Sequence, residues 1–243
     1  MKRYGLIGYP LTHSLSQQYF TNKFSEEGIG DCVYERFSIP SIQDLHAILD
    51  NHKDLCGFNI TIPYKKEVLA FLTERSKAVE EVGACNCVKI EDGKLIGYNT
   101  DVIGFENSLV PFLKPTHNKA LVLGTGGAAL AIVYVLEKLG INYTYVSRSA
   151  AAGQFSYNNL DAAVMAEYTL IVNTTPLGMF PNIEACPDIP YSLLTPSHHL
   201  FDLTYNPAES TFLAKGKEMG ATIQNGQQMF VEQAEQSWRI WNS

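Results

Sequence analysis

The sequence predicts an α/β protein made of two αβ domains. Short apolar strands alternate with amphipathic helices along all 243 residues, which is the pattern of sheets covered by helices. The alternation restarts at Lys119, shortly after a helix that proline closes, and the chain is long enough for two modest domains. A glycine-rich turn, Gly124–Ala129, separates a strand from a helix in the second half of the chain.

The first hundred residues contain the strands and helices of the first domain. Branched and aromatic residues predict the strands, and Pro63, which has no N–H for a sheet, ends the third of them. Apolar residues at helical spacing predict the helices. Asp92-Gly93 is a strong hairpin signal between the last two strands. The predicted strands are Tyr4–Gly8, Val33–Ile39, Gly57–Ile62, Cys87–Ile90 and Lys94–Tyr98, and the predicted helices are Ser16–Glu27, Ile42–Leu49, Lys65–Leu72 and Ser76–Val82.

The second half of the chain repeats the alternation. A helix over Val102–Leu113 leads from the first domain into the second, and we expect the last helix, Gln227–Trp241, to return to the first. The strands between them are short and apolar, as a parallel sheet buried on both faces requires. They are Leu121–Leu123, Tyr143–Ser147, Thr169–Asn173, Leu200–Thr204 and Ala221–Gln224. The predicted domains are residues 1–101 plus 226–243 and residues 102–225, with a cleft between them.

The glycine-rich turn has the spacing of a dinucleotide-binding fingerprint, Gly124-x-Gly126-x-x-Ala129. Gly124 allows the tight turn, Gly126 lets the backbone approach a pyrophosphate, and Ala129 lets the helix pack close to the strand. The N–H groups at the start of that helix favour phosphates. The predicted site includes the other residues of the turn, Thr125, Gly127 and Ala128. The alternative is an ordinary tight turn, but the flanking strand and helix favour a Rossmann-like domain that binds a dinucleotide.

The residues after the second strand of this domain bear on the choice of cofactor. An NAD site favours an acidic residue about 20 residues beyond the glycine-rich turn. Ser147-Arg148-Ser149 occupies that place, and the next acidic residue is Asp161. Arg148 can stack on adenine and pair with a 2′-phosphate, to which both serines can donate hydrogen bonds. We therefore predict NADP rather than NAD, the alternative being an arginine that only ends a strand.

Two groups of polar residues in the first domain are candidates for binding. Ser14 and Ser16 precede the first helix, where their hydroxyls can hold a carboxylate. They can equally cap the helix, since Ser14 and Gln17 fit a capping box. On the third strand, Asn59 and Thr61 share one face, which is therefore not a core face.

Lys65 and Asp101 are the candidate catalytic residues. Lys65 follows the third strand, at the strand's carboxyl end, where open α/β sheets bind ligands. Asp101 opens the helix Val102–Leu113. Taken alone, Lys65 is most simply a solvated surface charge and Asp101 an N-cap. If Asp101 lies beside Lys65, the two form an ammonium donor held by a carboxylate, which a ketone accepting a hydride needs at its oxygen.

Composition and charge argue against several classes of protein. The formal charge of −7 and the isoelectric point near 5.4 argue against a nucleic-acid partner. No apolar run is long enough to span a membrane, and no signal peptide is visible. The five cysteines, an odd number, indicate a reducing cytoplasm rather than a disulfide framework. Cys85-Asn86-Cys87 has no second pair of ligands, so we predict no metal site.

The motifs, taken in order, resemble those of the shikimate dehydrogenase family over nearly the whole chain. They are Ser14-Leu-Ser16, Asn59-Ile-Thr-Ile-Pro-Tyr-Lys65, Gly83-Ala-Cys-Asn86, Asn99-Thr-Asp101, Gly124-Thr-Gly-Gly-Ala-Ala129, Asn173-Thr-Thr-Pro-Leu-Gly-Met179, Tyr205-Asn-Pro207 and Gly226-Gln-Gln-Met229 with Gln233. No single motif is decisive, whereas the ordered set is highly specific. The resemblance implies reversible reduction of 3-dehydroshikimate to shikimate by NADPH, in the biosynthesis of chorismate and the aromatic amino acids.

The resemblance also implies a role for each candidate residue. Lys65 would be the acid and base, partnered by Asp101. The substrate carboxylate would be bound by Ser14 and Ser16, and the ring hydroxyls by Thr61, Asn86, Asp101 and Gln233, with Tyr205 close by. The nicotinamide end of the cofactor would be lined by Gly226 and Met229, with the loop from Thr174 to Met179 nearby, and Thr204 would also bind the cofactor. Met229 and Gln233 are four residues apart and therefore share a helical face.

The sequence departs from the family in two respects and leaves two alternatives open. Ala150–Gly153 stands where the family normally has a further basic residue, and Ala150–Tyr168 has room for only one small strand and one short helix. A quinate or quinate/shikimate dehydrogenase is the nearest alternative, although having both serines favours shikimate. A non-catalytic, cofactor-binding regulator is the other alternative, and it would need neither Lys65 nor Asp101.

Overall fold

The computed structural model describes residues 1–11 and 14–243, and the contacts within the chain divide it into two units. The first unit comprises residues 1–100 and 234–243, and the second comprises residues 101–233. Both units are αβ, as the sequence predicts, and each has its own sheet. No helix in the described ranges is both long enough and apolar enough to cross a membrane.

The sheet of the first unit is mixed. Its strands are β1 (Lys2–Gly8), β2 (Cys32–Ser38), β3 (Leu55–Ile60), β4 (Glu74–Arg75), β5 (Cys87–Glu91) and β6 (Lys94–Tyr98), in the order β2-β1-β3-β5-β6-β4. β1 is parallel to β2 and β3, whereas β5 is antiparallel to both of its neighbours. The predicted hairpin is confirmed: Asp92 and Gly93 join β5 to β6 with φ values of 50° and 75°.

The helices of the first unit are short. They are α1 (Ser16–Glu26), α2 (Leu45–Asn51), which a 3-10 turn at Ile42–Asp44 precedes, and α3 (Lys77–Val82). Local signals set the ends of α3, because the Ser76 hydroxyl accepts the N–H of Val79 and Gly83 adopts a left-handed conformation with φ 68°.

The segment after β3 differs from the prediction. The predicted strand to Ile62 and the predicted helix Lys65–Leu72 are wrong: β3 ends at Ile60, and only a 3-10 helix forms, at Glu67–Phe71. An α-helix would need a hydrogen bond from the Leu69 N–H to the Lys65 carbonyl, but that carbonyl accepts the N–H of Cys85 at 2.8 Å. The Leu69 N–H donates instead to the Lys66 carbonyl, three residues back, as in a 3-10 helix. Ile62 lies beyond the end of β3, and 72% of it is exposed.

The sheet of the second unit is parallel throughout. Its strands are β7 (Lys119–Leu123), β8 (Asn142–Val146), β9 (Leu170–Asn173), β10 (His199–Asp202) and β11 (Thr222–Gln224), in the order β11-β10-β9-β7-β8. The helices that follow β6 in the chain are α4 (Thr100–Leu109), α5 (Gly127–Lys138), α6 (Ala162–Glu167), α7 (Thr211–Glu218) and α8 (Gln227–Trp241), and the last of these is shared between the two units. The sequence prediction omits α7, which begins after a Ser210 cap on the N–H of Leu213.

The short stretch after β8 contains a rudimentary strand. Phe155 forms a parallel bridge with Val146, through bonds from its N–H to the Tyr145 carbonyl and from the Ser147 N–H to its own carbonyl. The Val146 carbonyl accepts a bond from Gly124, so Phe155 lies on the opposite side of β8 from β7. With Phe155 counted as a strand, the order becomes that of the Rossmann fold, 3-2-1-4-5-6. The small strand that the sequence predicts is therefore reduced to one residue.

The end of α8 belongs to the first unit. Trp241 stacks on Tyr4 at 4.8 Å between ring centroids, and Trp238 meets the edge of the same ring at 5.4 Å. The Trp241 indole N–H donates to the Val88 carbonyl at 3.0 Å. These aromatic rings join α8 to the core that contains β1 and α1.

Candidate active site

In the first unit, the two serines lie at the start of α1. The Ser14 hydroxyl accepts the N–H of Ser16 and donates to the Ser16 hydroxyl, each at 3.3 Å. The N-cap residue is Leu15 rather than Ser14, so the predicted capping box of Ser14 and Gln17 does not form. Two half-buried hydroxyls beside a helix N-terminus are suited to an anion.

Asn59 and Thr61 have different surroundings. Asn59 is buried, accepts the Tyr34 hydroxyl at 2.9 Å, and donates to the Ser237 hydroxyl at 2.9 Å. Asn59 therefore connects β3 to the end of α8, and the prediction that its face of the strand is not a core face is wrong at this residue. Thr61 lies just beyond β3, half-buried, and its N–H donates to the Ile7 carbonyl at 2.9 Å.

Cys85 and Asn86, which are adjacent in the chain, form hydrogen bonds to Lys65 and to Thr100, the residue before Asp101. Cys85 donates its N–H to the Lys65 carbonyl at 2.8 Å. The amide oxygen of the next residue, Asn86, accepts the N–H of Thr100 at 2.6 Å, and its amide nitrogen donates to the Thr100 hydroxyl at 3.0 Å. Thr100 opens α4, and Asp101 follows it directly, with 8% of its surface exposed. Thr100 uses one of the two hydrogens of the Asn86 amide nitrogen, which leaves a second donor for a ligand.

In the second unit, the glycine-rich turn follows β7 at the carboxyl edge of the sheet. Gly124 has φ 98°, and a Cβ there would lie 3.0 Å from side-chain atoms of Thr174 and Thr175. The Thr174 hydroxyl donates to the Leu123 carbonyl at 2.7 Å, which keeps the segment after β9 against this turn. Gly124 is therefore required both by its conformation and by its neighbours.

The start of α5 is open to a ligand. Gly126 is the N-cap, no side chain caps the helix, and the first turn contains no acidic residue. A Cβ on Gly126 or Gly127 would meet nothing within 4 Å, whereas Ala129 is fully buried between helix and sheet. Thr125 is exposed and Ala128 half-buried. Uncapped N–H groups that face open space fit the pyrophosphate of a dinucleotide.

Ser147, Arg148 and Ser149 follow β8 at the same edge. The Ser147 hydroxyl accepts the N–H of Ser149 at 3.3 Å, which makes a compact turn. The Arg148 and Ser149 side chains are exposed. No acidic residue stands beside them in the sequence, so this turn suits an anionic phosphate better than a ribose hydroxyl.

The residues after β9, β10 and β11 complete this edge. Gly226 donates its N–H to the Thr204 carbonyl at 3.0 Å, and a Cβ on Gly226 would overlap the Leu203 carbonyl. Thr204 is buried beside Asp202, and its side chain opposes the rise in the pKa of that carboxyl that burial causes. The Tyr205 ring lies 5.0 Å from that of Phe230, and burial raises the pKa of Tyr205. Met179 is exposed.

Helices α4 and α8 bring further candidates together. Gly104, one turn after Asp101, packs against Met229 and Gln233, where its missing side chain permits close approach. The Gln233 amide donates to the Phe230 carbonyl at 3.0 Å. The sequence analysis does not single out Gly104, although a glycine within a predicted helix indicates either close packing or a loss of helix stability.

Asp202 is the other residue that the sequence analysis does not single out. It is fully buried at the end of β10 and accepts hydrogen bonds from three groups. Its burial raises its pKa. Its position within the predicted strand Leu200–Thr204 is the only signal in the sequence. Among residues 1–11 and 14–243, no three His, Cys, Asp or Glu side chains are grouped so that they could hold a metal ion.

Comparisons with known proteins give a consistent family. The family model for the shikimate dehydrogenase substrate binding domain matches residues 6–88. The shikimate dehydrogenase (NADP(+)) of Caldicellulosiruptor saccharolyticus is 35% identical over 99% of this chain and 92% of its own length. The crystal structure of shikimate 5-dehydrogenase from Thermus thermophilus, in complex with NADP(H) and shikimate, is 30% identical with a TM-score of 0.85, over 99% of this chain and 93% of that one. Quinate dehydrogenase from Corynebacterium glutamicum, in complex with NAD, is 28% identical with a TM-score of 0.86, over the same shares.

Proposed function

Since the chain belongs to the shikimate dehydrogenase family, we propose that it catalyses the reversible reduction of 3-dehydroshikimate to shikimate with NADPH. The observation that carries this proposal is the match to a shikimate dehydrogenase (NADP(+)) over 99% of this chain and 92% of the relative. Motifs for substrate, proton transfer and cofactor all fall within that match. The reaction belongs to the biosynthesis of chorismate and the aromatic amino acids.

NADP(H) is held by the carboxyl edge of the second sheet. The turn Gly124–Ala129 and the start of α5 bind the pyrophosphate, because the uncapped N–H groups at the start of a helix favour an anion. Arg148 pairs with the 2′-phosphate, assisted by Ser147 and Ser149. The nicotinamide end is lined by Thr174, Met179, Thr204, Gly226 and Met229. When bound, NADPH supplies the hydride that reduces the ketone carbon.

The substrate is held by groups that match its chemistry. Ser14 and Ser16 bind the carboxylate at the N-terminus of α1. Thr61, Asn86, Asp101 and Gln233 bind ring hydroxyls, with Tyr205 beside them. Uncharged hydroxyl and amide groups suit a polyol, since each can both donate and accept.

Lys65 is the acid and base of the reaction. Reduction builds negative charge on the carbonyl oxygen, and Lys65 donates the proton that the new alcohol needs. Asp101 orients the Lys65 ammonium and accepts a hydrogen bond from a substrate hydroxyl. The bonds from Cys85 to Lys65 and from Asn86 to Thr100 support these roles, because they fix the backbone at Lys65 and immediately before Asp101.

The proposed partners of the protein are small molecules. Its proposed location is the cytoplasm, in keeping with its five free cysteines.

The test is the absorbance of reduced nicotinamide with shikimate or quinate, each with NADP or NAD. Shikimate with NADP should give the fastest reduction of cofactor. Faster turnover of quinate would instead assign the chain to quinate dehydrogenases, to which it is also similar. Binding of NADP in calorimetry with no turnover of either substrate would indicate a non-catalytic regulator.

A further inference from the structure

Asp202 occupies a central position in the second unit. It ends β10 and is fully buried. One carboxylate oxygen accepts the Asn173 amide and the N–H of Thr204, both at 3.0 Å, and the other accepts the Ser210 hydroxyl. These three donors come from three different places: the end of β9, the turn after β10 and the cap of α7.

Asn173 extends this network to the segment after β9. Its amide oxygen accepts both the N–H of Thr175, at 3.0 Å, and the Thr175 hydroxyl, at 2.7 Å. The neighbouring Thr174 hydroxyl bonds to the Leu123 carbonyl, directly before Gly124. A continuous chain of contacts thus runs from Asp202 to the glycine-rich turn.

A buried carboxylate at this position lowers the stability of the fold relative to an apolar residue. Burying an ionised group costs free energy unless hydrogen bonds replace its hydration, and an apolar residue of similar size would avoid that cost. The groups that bond to Asp202 are an amide, a backbone N–H and a hydroxyl, all uncharged. What the carboxylate provides is the capacity to accept several strong bonds at once from separate segments.

We propose that Asp202 is a positioning residue, which fixes the segments after β9 and β10 in the arrangement that binds NADP. The inference rests on the proposed function, because the segments it fixes contain Thr174, Met179 and Thr204. Asp202 itself contacts neither cofactor nor substrate. Its carboxylate sets where these side chains and their backbone groups stand before the cofactor arrives, so that binding needs no reordering of the two segments.

The test compares two substitutions of Asp202 by calorimetric titration of the full chain with NADP. Asp202→Ala removes both acceptor oxygens and with them all three hydrogen bonds, and it should raise the dissociation constant for NADP about tenfold or more. Asp202→Asn keeps an oxygen for Asn173 and Thr204, and its new amide can donate to the Ser210 hydroxyl. It should therefore bind NADP within about threefold of the wild type.

A matched control separates positioning from stability. Thr169→Val removes a side-chain bond, 2.9 Å to the Thr116 carbonyl, at the opposite end of β9. It should lower the melting temperature without changing the dissociation constant for NADP. A folded Asp202→Ala variant with wild-type affinity for NADP would overturn the inference.

Two further measurements keep the test decisive. If the Asp202→Ala variant does not fold, the Asn173→Ala variant is tested instead. This substitution removes the bonds to Thr175, while Asp202 keeps its bonds from Thr204 and Ser210. Unchanged affinity of the Asn173→Ala variant for NADP would also overturn the inference. Failure of the wild type to bind NADP would count against the proposed function itself. Wild-type binding that no substitution weakens would count against the positioning role alone.

Discussion

A Cβ atom on Gly104 of α4 would lie 2.6 Å from the backbone carbonyl oxygen of Met229 in α8 and 3.1 Å from the Cβ of Gln233. A separation of 2.6 Å is not tolerated between these atoms, so any side chain at residue 104 must push the two helices apart. α4 carries Asp101 one turn earlier, and α8 carries Gln233. Glycine at residue 104 therefore sets the distance between Asp101 and Gln233, the two residues on these helices that are proposed to bind substrate hydroxyls.

Gly104→Ala should weaken shikimate binding. The added methyl group should cost about 1–3 kcal/mol of stability and move Gln233 relative to Asp101. We expect the Michaelis constant for shikimate to rise about tenfold, because small misplacements of binding groups are costly. The matched control is Gly216→Ala in α7, where the new Cβ would overlap a Leu200 side-chain methyl instead. Equal Michaelis constants for shikimate in the two variants would contradict the spacing role.

Arg148→Ala should impair the use of NADP and leave the use of NAD nearly unchanged. Losing a charge-assisted bond to phosphate costs roughly 1.5–3 kcal/mol, so the Michaelis constant for NADP should rise about ten- to a hundredfold. Steady-state kinetics with both cofactors measure this. Lys217→Ala in α7 removes the same charge from an exposed site and should have no effect. An equal loss with NAD and NADP would mean that Arg148 packs rather than binds the phosphate.

Ser14→Ala with Ser16→Ala should raise the Michaelis constant for shikimate and leave the binding of NADP alone unaltered. The reason is that the proposed role of the two hydroxyls is to bind the substrate carboxylate, whereas within α1 they supply only the bond from the Ser16 N–H to Ser14 among the described contacts. Ser41→Ala is a suitable control, because that hydroxyl accepts only the N–H of Gln43 at a 3-10 turn. If the double variant has the wild-type Michaelis constant for shikimate, the serines do not bind the carboxylate.

The features that the sequence predicts correctly are those set by near neighbours in the chain. Asp92-Gly93 makes a hairpin because two consecutive positive φ values are needed there. The helix predicted from Lys65 fails for the opposite reason. The Lys65 carbonyl bonds to Cys85, twenty residues away, and no local pattern contains that information.

The same distinction applies to the candidate site. The glycine-rich turn could be found from its spacing, because the conformation of Gly124 is a local property. Gly104 and Asp202 could not, since one depends on the approach of α8 and the other on donors from β9 and α7. Aspartates are mostly exposed to solvent, and a glycine within a helix does not reveal which element packs against it.

Stability should fall as the pH decreases below 6.5, because of His199. It is fully buried at the start of β10, stacked with Phe112 and His117. Burial, and to a smaller extent His117, lowers the pKa of His199 to about 4. The unfolded chain, with a pKa near 6.5, then binds the proton more readily. This stabilisation is present above pH 6.5, and about 2 kcal/mol of it is lost by pH 5.

His199→Gln should reduce that loss, as measured by urea unfolding at pH 7.5 and pH 5. His46→Gln, at an exposed site in the first unit, is the matched control and should keep the wild-type pH dependence. If the free energy of unfolding falls by the same amount between pH 7.5 and pH 5 in the His199→Gln variant and in the wild type, other groups cause the acid sensitivity.

Lys65 and Asp101 should act as a unit in turnover. Lys65→Met keeps most of the stem and removes the proton donor, so turnover should fall roughly 10²–10⁴-fold while shikimate affinity changes much less. The adjacent Lys66 is exposed, and Lys66→Met should retain wild-type turnover. Asp101→Asn should also lower turnover, and the double variant should lose far less than the product of the two losses, because neither residue works without the other. A double-mutant cycle on turnover, with shikimate affinity measured separately, tests this. Near-normal turnover of the Lys65→Met variant would mean that Lys65 is only a surface charge. If the loss in the double variant equals the product of the two single losses, Lys65 and Asp101 act independently.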